Sequence, residues 1–280
     1  MKSRFSAVLL ALLSIGVFAG RLSATTGTLT ITSNTTLTED HFGSLVVAAD
    51  AVMLDCNGHR IIGDRSSGSV GILLDARSGV TVQNCDVSNF DYGFRIESST
   101  GTTLAGNTAS DSQFGFVLRY SNENTITGNI ASNDFLGFDL DSSASNTVTA
   151  NTVSSSVMGF YIAGAAYSGN TLSGNTAKST RTGFIVTGTS DNTLTGNTAA
   201  NNEWGFCLSD ARTTTLTGNT ADSNSVGFYL NVENASNTVI KNVIVSNSTG
   251  ISVCSCELQS HINRIAPNTF LHNGRPIEVR

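Results

Sequence analysis

Most of the chain repeats one pattern of apolar and polar residues. A glycine followed by Phe or Ile recurs every 22 to 24 residues, at Gly71, Gly93, Gly115, Gly137, Gly159, Gly183, Gly205, Gly227 and Gly250. A second marker is an Asn that follows a short Thr-rich run, and it recurs with matching steps at Asn107, Asn129, Asn151, Asn175, Asn197, Asn219 and Asn242. Because two separate markers share one period, the repeat is a structural unit and not a bias of composition.

One repeat reads N-T-L-T-G-N-T-A-x-x-N-x-x-G-F-x-L. It holds three short stretches in which apolar and polar residues alternate, and this period of two predicts strands. Each stretch is too short for a sheet of its own, so it must pair in parallel with its copies in the neighbouring repeats, about 4.8 Å away. The pattern predicts an all-β fold, a single right-handed parallel β-helix with about 22 residues and three short strands per coil.

The alternation predicts three columns of inward side chains. The first is Phe94, Phe116, Phe138, Phe160, Phe184, Phe206 and Phe228. The second is Ile96, Leu118, Leu140, Ile162, Val186, Leu208 and Leu230, and the third, on another strand, is Val82, Leu104, Ile126, Val148, Leu172, Leu194, Leu216 and Val239. We expect the Asn column at a bend, where Asn tolerates left-handed backbone angles and its amides hydrogen-bond from coil to coil. Cys85 takes the Asn position in the first regular coil.

The flanks of the repeats predict the segment boundaries. Residues 1–24 combine Lys2 and Arg4 with an uncharged apolar run and are expected to be a signal peptide. Residues 25–70 are expected to form an N-terminal cap with irregular coils, residues 71–253 the regular repeats, and residues 254–280 a C-terminal cap. The prediction is therefore a secreted or periplasmic protein that does not insert into a membrane once the signal is removed.

The composition limits the kinds of binding partner that the chain can have. Only 13% of the residues are charged, 39% are hydrophobic, and the net charge is −6. The low net charge and the apolar share argue against disorder, and the absence of a basic excess argues against nucleic acid as a partner.

The five cysteines allow disulfides in an exported protein. Cys56 and Cys85 occupy nearly equivalent places in adjacent coils and are the predicted disulfide. Cys207 is the predicted unpaired cysteine.

The stretch Leu54 to Gly63, LDCNGHRIIG, followed by tandem N-T-x-T-x-N and G-F-x-L coils, resembles a known family. It is similar, over about residues 28–265, to secreted β-helix proteins with NosD-type repeats of the pectin-lyase-like superfamily. The resemblance implies the β-helix fold and two kinds of function. Members include a periplasmic accessory protein of nitrous-oxide reductase maturation, linked to copper, and relatives bind, cleave or epimerise polysaccharides. In those relatives the substrate usually lies along the outer face of the strand that corresponds to G-F-x-L.

That face carries the candidate site. Its outward positions hold six charges on four consecutive coils of a charge-poor chain, followed by an aromatic residue: Asp75, Arg95, Glu97, Arg119, Asp139, Asp141 and Tyr161. The two arginines could pair with sugar carboxylates, the carboxylates could hold hydroxyls or Ca²⁺, and Tyr161 could stack on a sugar ring. Glu97, beside the like charge of Asp75, is the expected proton donor if the site is catalytic. The alternative is a charge ladder that only supports strand pairing.

The main functional prediction is a β-helix that binds a polysaccharide or cell-surface glycan or presents a structural surface. Three alternatives stay open: a polysaccharide-active lyase or glycosidase, a copper-system accessory protein, and ice binding through the paired Thr-x-Thr columns around Thr125 and Thr127. His and Met form no cluster and Cys254 and Cys256 are the only soft pair, so no metal site is predicted. No cofactor is predicted apart from the Ca²⁺ that the carboxylates could hold.

Overall fold

A computed structural model describes residues 24–164, 168–231, 234–254 and 263–279. Nearly all of the predicted signal peptide, and Cys256, lie outside the described residues. The described chain is a right-handed parallel β-solenoid whose coils of about 22 residues contain strands and turns, as predicted. Among these residues, no helix is long and apolar enough to cross a membrane.

Each regular coil contributes one strand to each of three stacks of parallel strands, here called sheets 1, 2 and 3, of which sheets 2 and 3 are joined by hydrogen bonds into one continuous sheet. Sheet 1 holds the Thr-rich strands β2 (Thr35–Thr36), β4 (Met53–Asp55), β7 (Thr81–Gln83), β10 (Thr103–Ala105), β13 (Thr125–Thr127), β16 (Thr147–Thr149), β19 (Thr171–Ser173), β22 (Thr193–Thr195), β25 (Thr215–Thr217) and β28 (Thr238–Ile240). Sheet 2 holds β5 (Arg60–Ile62), β8 (Asp86–Ser88), β11 (Thr108–Ser110), β14 (Ile130–Ser132), β17 (Thr152–Ser154), β20 (Thr176–Lys178), β23 (Thr198–Ala200), β26 (Thr220–Asp222), β29 (Val243–Val245) and β31 (Thr269–Leu271).

Sheet 3 contains the G-F-x-L strands. They are β6 (Val70–Asp75), β9 (Tyr92–Glu97), β12 (Phe114–Arg119), β15 (Leu136–Asp141), β18 (Met158–Ala163), β21 (Thr182–Ser190), β24 (Trp204–Arg212), β27 (Val226–Leu230), β30 (Thr249–Val253) and β32 (Arg275–Val279). Two longer strands, β1 (Thr25–Ile31) and β3 (His41–Val47), pair with each other, and β3 also pairs with β5 and β6. At the other end β31 and β32 pair with β29 and β30, so residues 263–279 continue the coil stack within the predicted C-terminal cap.

The predicted core columns are buried. The seven phenylalanines are at most 1% exposed and their rings stack from coil to coil, with centroids 4.5 to 4.9 Å apart. The Leu and Ile column of sheet 3 and the third column, on sheet 1, are equally buried. A fourth column, which the sequence reasoning did not single out, lies on sheet 2 and is built mainly of alanine, as at Ala109, Ala131 and Ala177.

The small residues of this fourth column face the repeated glycines, because the chain turns sharply between sheets 2 and 3. A Cβ built on Gly115 would lie 2.7 Å from the backbone oxygen of Gly137 and 3.3 Å from the Cβ of Ala131. On Gly159 it would lie 2.2 Å from the oxygen of Gly183. The glycine column is therefore required by the close approach of successive coils, and any side chain there would push them apart.

Buried amides stack in the turns. The predicted column is a ladder in which each side-chain oxygen accepts from the backbone and side-chain nitrogens of the preceding coil. For Asn129 and Asn151 the two N···O distances are 2.8 and 3.0 Å. The amide nitrogen of Asn129 also donates to Leu104 O at 2.9 Å. Cys85 does take the first position of this ladder, since its backbone N–H donates to Asn107 Oδ1.

Two further polar columns flank this ladder, five residues before and five residues after it. One runs through Thr102, Asn124, Asn146, Asn170, Asn192, Thr214, Asn237 and Asn263, and the other through Ser112, Asp134, Ser156, Thr180, Asn202, Asn224, Asn247 and Asn273. Most of their contacts repeat those of the first ladder, as between Asn124 and Asn146. The spacing of five residues is the same in every coil that has all three columns.

The prediction that the ladder asparagines adopt left-handed backbone angles was wrong. The positive φ belongs to the residue immediately before each ladder Asn, such as Gly128 at 64° and Ala150 at 56°. That preceding residue makes the turn, while the Asn side chain points into the core, where its amide finds partners above and below.

The predicted disulfide is confirmed. Cys56 and Cys85 are bonded, and their Cα atoms are 4.7 Å apart. The bond joins the irregular first coils to the regular stack across 29 residues. Cys207 is a free cysteine, as predicted, and Cys254 is disulfide-bonded.

Replacing one ring of the phenylalanine column tests this packing. We expect Phe138→Ala to lower the free energy of unfolding by about 3–5 kcal/mol, because it opens a cavity between two stacked rings. Val157→Ala, at a site that is 40% exposed, should cost well under half as much. Chemical denaturation of both variants measures the difference, and equal losses would contradict the assignment of the core.

Asp134 breaks the amide pattern of its column. Its Oδ1 accepts from the backbone N–H of Ser112 at 2.8 Å, but its buried Oδ2 has no hydrogen-bond partner among the described residues. Burial, with the nearby charge of Asp111 adding to it, raises the pKa of Asp134 from 3.8 to about 7. In the same column the Asn202 and Asn224 amides donate to Ala177 O and Ala199 O, contacts that a carboxylate cannot make.

We therefore expect Asp134→Asn to stabilise the protein above pH 7. The unfolded chain loses this proton near pH 4 and the folded chain near pH 7, so the wild type loses stability between those values, by at most about 4 kcal/mol. The variant should gain about 1–3 kcal/mol at pH 8 and little at pH 4. Denaturant midpoints across this range measure it. Asp222→Asn, on the outward side of sheet 2, is the control, and a gain independent of pH would refute the explanation.

Candidate functional site

The strand register gathers the seven predicted site residues on the outward side of sheet 3. Asp75, Glu97, Arg119 and Asp141 lie on four adjacent strands and pair in turn. A second row, two residues earlier on the strands, runs from Arg95 through Val117 and Asp139 to Tyr161. The sequence reasoning thus identified one continuous patch.

Both arginines of the patch lie against carboxylates of the protein. Arg95 Nη2 forms an ion pair with Glu97 Oε2 on the same strand, and its guanidinium lies over the ring of Tyr92, 5.3 Å from the centroid. Arg119 Nε lies 3.9 Å from Asp141 Oδ2 on the next strand. Asp75, at the start of the row, is exposed. The patch is therefore partly a charge ladder, as the alternative interpretation expected.

Asp139 differs from the other charged residues of the patch because it is only 4% exposed. Its Oδ1 is buried and makes no hydrogen bond with any described residue. Burial is the largest influence and raises the pKa of Asp139 to about 7; the charge of Arg119 opposes the rise and that of Asp141 adds to it. The pKa of Tyr161 on the next strand is also raised, by burial and by the charges of Asp139 and Asp141.

Asp139 and its neighbours line a groove of about 330 Å³. Its polar side is formed by Arg119, Asp139, Asp141 and Tyr161, and its remaining lining by Phe114, Phe135, Leu136, Met158 and Ala163. Phe135 is 46% exposed although it is a large aromatic residue. A groove with an apolar wall and a few convergent polar groups is the usual form of a small-ligand site.

Sequence reasoning missed the apolar wall. Phe135 stands two residues before a repeated glycine, where Asp91, Gln113 and Arg181 stand in other coils. An apolar residue in a column that is mostly polar was the available signal, and Val157 in the next coil shares it. Both residues are substantially exposed, so packing within the coil does not explain their apolar side chains.

The structure changes the picture at two outward positions. Val117 lies at an outward position between Arg95 and Asp139 on the neighbouring strands, yet it is fully buried. Glu97, the expected proton donor, is tied to Arg95, while the buried carboxyl of the patch is that of Asp139. Alternation along a strand predicts which way a side chain points but not what covers it.

The other candidate features stand apart from this groove. Within the described ranges, no group of three or more His, Cys, Asp or Glu side chains is arranged to hold a metal ion. Cys254 is disulfide-bonded and so presents no free thiolate in this state. The Thr-x-Thr pairs of sheet 1 stack in register, as Thr125 and Thr127 do on Thr147 and Thr149, and ice binding stays a prediction.

Comparison with sequence families gives two matches. Residues 48–199 match the family described as "Right handed beta helix region". Residues 164–280 match the family described as "Periplasmic copper-binding protein (NosD)". No curated protein matches the sequence.

Solved structures with the same fold share little sequence with this chain. The A-module of a mannuronan C-5 epimerase from Azotobacter vinelandii has a TM-score of 0.63 at 15% identity, over 90% of this chain and 78% of that one. A periplasmic alginate epimerase has a TM-score of 0.67 at 12% identity, over 91% and 77%. The catalytic domain of an α-1,3-glucanase in complex with tetrasaccharides has a TM-score of 0.64 at 16% identity, over 91% and 61%. At these identities the likeness concerns the fold.

Proposed function

This chain belongs to the right-handed β-helix family, and we propose that it binds carbohydrate in the sheet 3 groove that contains Asp139. The observation that carries the proposal is a nearly buried carboxyl group that lines an apolar-walled groove and accepts no hydrogen bond from the described residues. A buried carboxyl group without a donor costs free energy, and a ligand hydroxyl in the groove would provide a hydrogen bond to it.

The position of the groove on sheet 3 supports an extended ligand. Sheet 3 runs along the solenoid, and its strands lie about 4.8 Å apart. Structures with the same fold include proteins named for alginate epimerisation and α-1,3-glucan hydrolysis. A polymer lying along the stack would meet equivalent positions in successive coils, and a periplasmic or extracellular location fits such a ligand.

A second candidate function is catalysis on a polysaccharide. Asp139, whose pKa of about 7 suits a general acid or base, lies two residues from Asp141 on the same outward face. Pairs of carboxyls in different environments are what glycoside hydrolysis requires. Loss of product formation in Asp139→Asn that is far greater than the loss of binding would distinguish an enzyme from a binding protein.

Calorimetry with the best ligand from a glycan array tests the binding proposal. We expect Arg119→Ala and Asp141→Ala each to weaken binding about tenfold, or about 1.4 kcal/mol, because each removes one side of the polar wall. Arg212→Ala and Asp210→Ala remove the same charges from an exposed ion pair elsewhere on the solenoid and serve as matched controls.

Two results would contradict the proposal. If all four variants fold and bind equally well, the charged patch is only a structural ladder and the ligand site lies elsewhere. If no glycan on the array binds the wild type, the proposed function fails.

A further inference from the structure

We infer that the groove takes uncharged sugar residues, with one sugar hydroxyl donating a hydrogen bond to the Asp139 carboxyl group. The inference rests on the proposed function and specifies its ligand class. It departs from the prediction that Arg95 and Arg119 bind the carboxylates of acidic sugars.

Both arginines already lie near protein carboxylates. Arg95 is held by Glu97 on one side and by the ring of Tyr92 on the other. Arg119 Nε is buried 3.9 Å from Asp141 Oδ2 and has no hydrogen-bond partner among the described residues. A sugar carboxylate would have to displace Glu97 to bind Arg95 and would meet the charge of Asp141 beside Arg119, so it would gain little free energy.

The patch carries a net negative charge. Asp75, Glu97, Asp139 and Asp141 face only two guanidinium groups, those of Arg95 and Arg119. Four acidic groups against two basic ones leave the patch with a net charge of −2 when all are ionised, or −1 when Asp139 is protonated. A polyanion would be repelled as it approached such a face, whereas a neutral glycan would not be.

The Asp139 carboxyl group also favours a donor, because it lines the groove and accepts no hydrogen bond from the described residues. A hydroxyl group can donate, but an ionised carboxylate only accepts. A sugar carboxylate placed here would leave ionised Asp139 without a hydrogen bond and add a like charge next to it.

The apolar part of the groove also suits an uncharged sugar. Phe135 is exposed and lines the groove together with Leu136 and Met158, so the groove offers carbon surface as well as polar groups. An uncharged pyranose has the same division, with C–H groups on the faces of the ring and hydroxyls around its edge. The ring would therefore lie on the apolar wall while a hydroxyl reaches Asp139.

Matched pairs of probes test the inference. Oligogalacturonates and oligomannuronates of four to eight units are compared with their carboxyl-reduced counterparts, which keep the linkage and length but carry no charge. Nigero- and laminari-oligosaccharides complete the neutral set. We expect neutral oligosaccharides to bind at least tenfold more tightly than acidic ones in calorimetry, both with and without Ca²⁺.

Variants at Asp139 add a second readout. Asp139→Asn should weaken the binding of neutral oligosaccharides about tenfold. It should also narrow the difference in affinity between neutral and acidic probes, because it removes a negative charge from the groove. Phe135→Ala should weaken the binding of neutral oligosaccharides and leave that difference in affinity unchanged. Asp222→Asn, on the outward side of sheet 2, should change neither.

Three results would overturn the inference in distinct ways. Tighter binding of the parent uronates than of their reduced forms would assign the groove to acidic glycans and leave the proposed function standing. Binding of uronates only with Ca²⁺ would make the carboxylates a cation bridge. The failure of every probe and of the glycan array would remove the proposed function itself.

Discussion

In the described part of the solenoid, most buried asparagine side chains find hydrogen-bond partners in the neighbouring coils. Burying an amide without partners would cost more free energy than the net gain from an ordinary hydrogen bond. The ladders therefore require each coil to lie directly over the one before it. Once that register is set, the phenylalanine rings stack, the glycines come within contact of the next backbone, and the outward rows of sheet 3 align.

The columns also explain how a chain with so few charged residues holds a unique register. A parallel strand can slip along its neighbour when nothing marks its position, and a slip of one residue would turn the core outward. Here most of the regular coils carry three buried polar positions, and a slip would leave all of them unpaired. At Asp134 the arrangement tolerates one carboxyl oxygen without a hydrogen-bond partner, and burial raises the pKa of this carboxyl group.

The fold could be predicted from the sequence because its determinants repeat. Phe138, Leu140 and Ile126 belong to columns with many members, so the period exposes them even where one residue is ambiguous, and the equivalence of Cys56 and Cys85 predicts their disulfide. The side chains of the candidate site, by contrast, do not repeat from coil to coil. Whether Asp139 is buried or Val117 is covered depends on the particular side chains of the adjacent strands, and Phe135 matters only because the groove runs beside it. Such properties arise from packing across coils, which a period along the chain does not encode.

The fixed spacing of the polar columns divides each coil into a constant part and an adjustable part. From the first column to the third there are always ten residues, as from Asn146 to Ser156 and from Asn170 to Thr180. From the third column to the first of the next coil the count varies, with 12 residues from Asp134 to Asn146 but 14 from Ser156 to Asn170. The variable stretch contains the sheet 3 strand and the corner that follows it. Loops can therefore lengthen beside the groove while the ladders and the core stay in place, so a change of loop length at one corner can alter the surface around the groove without disturbing the solenoid.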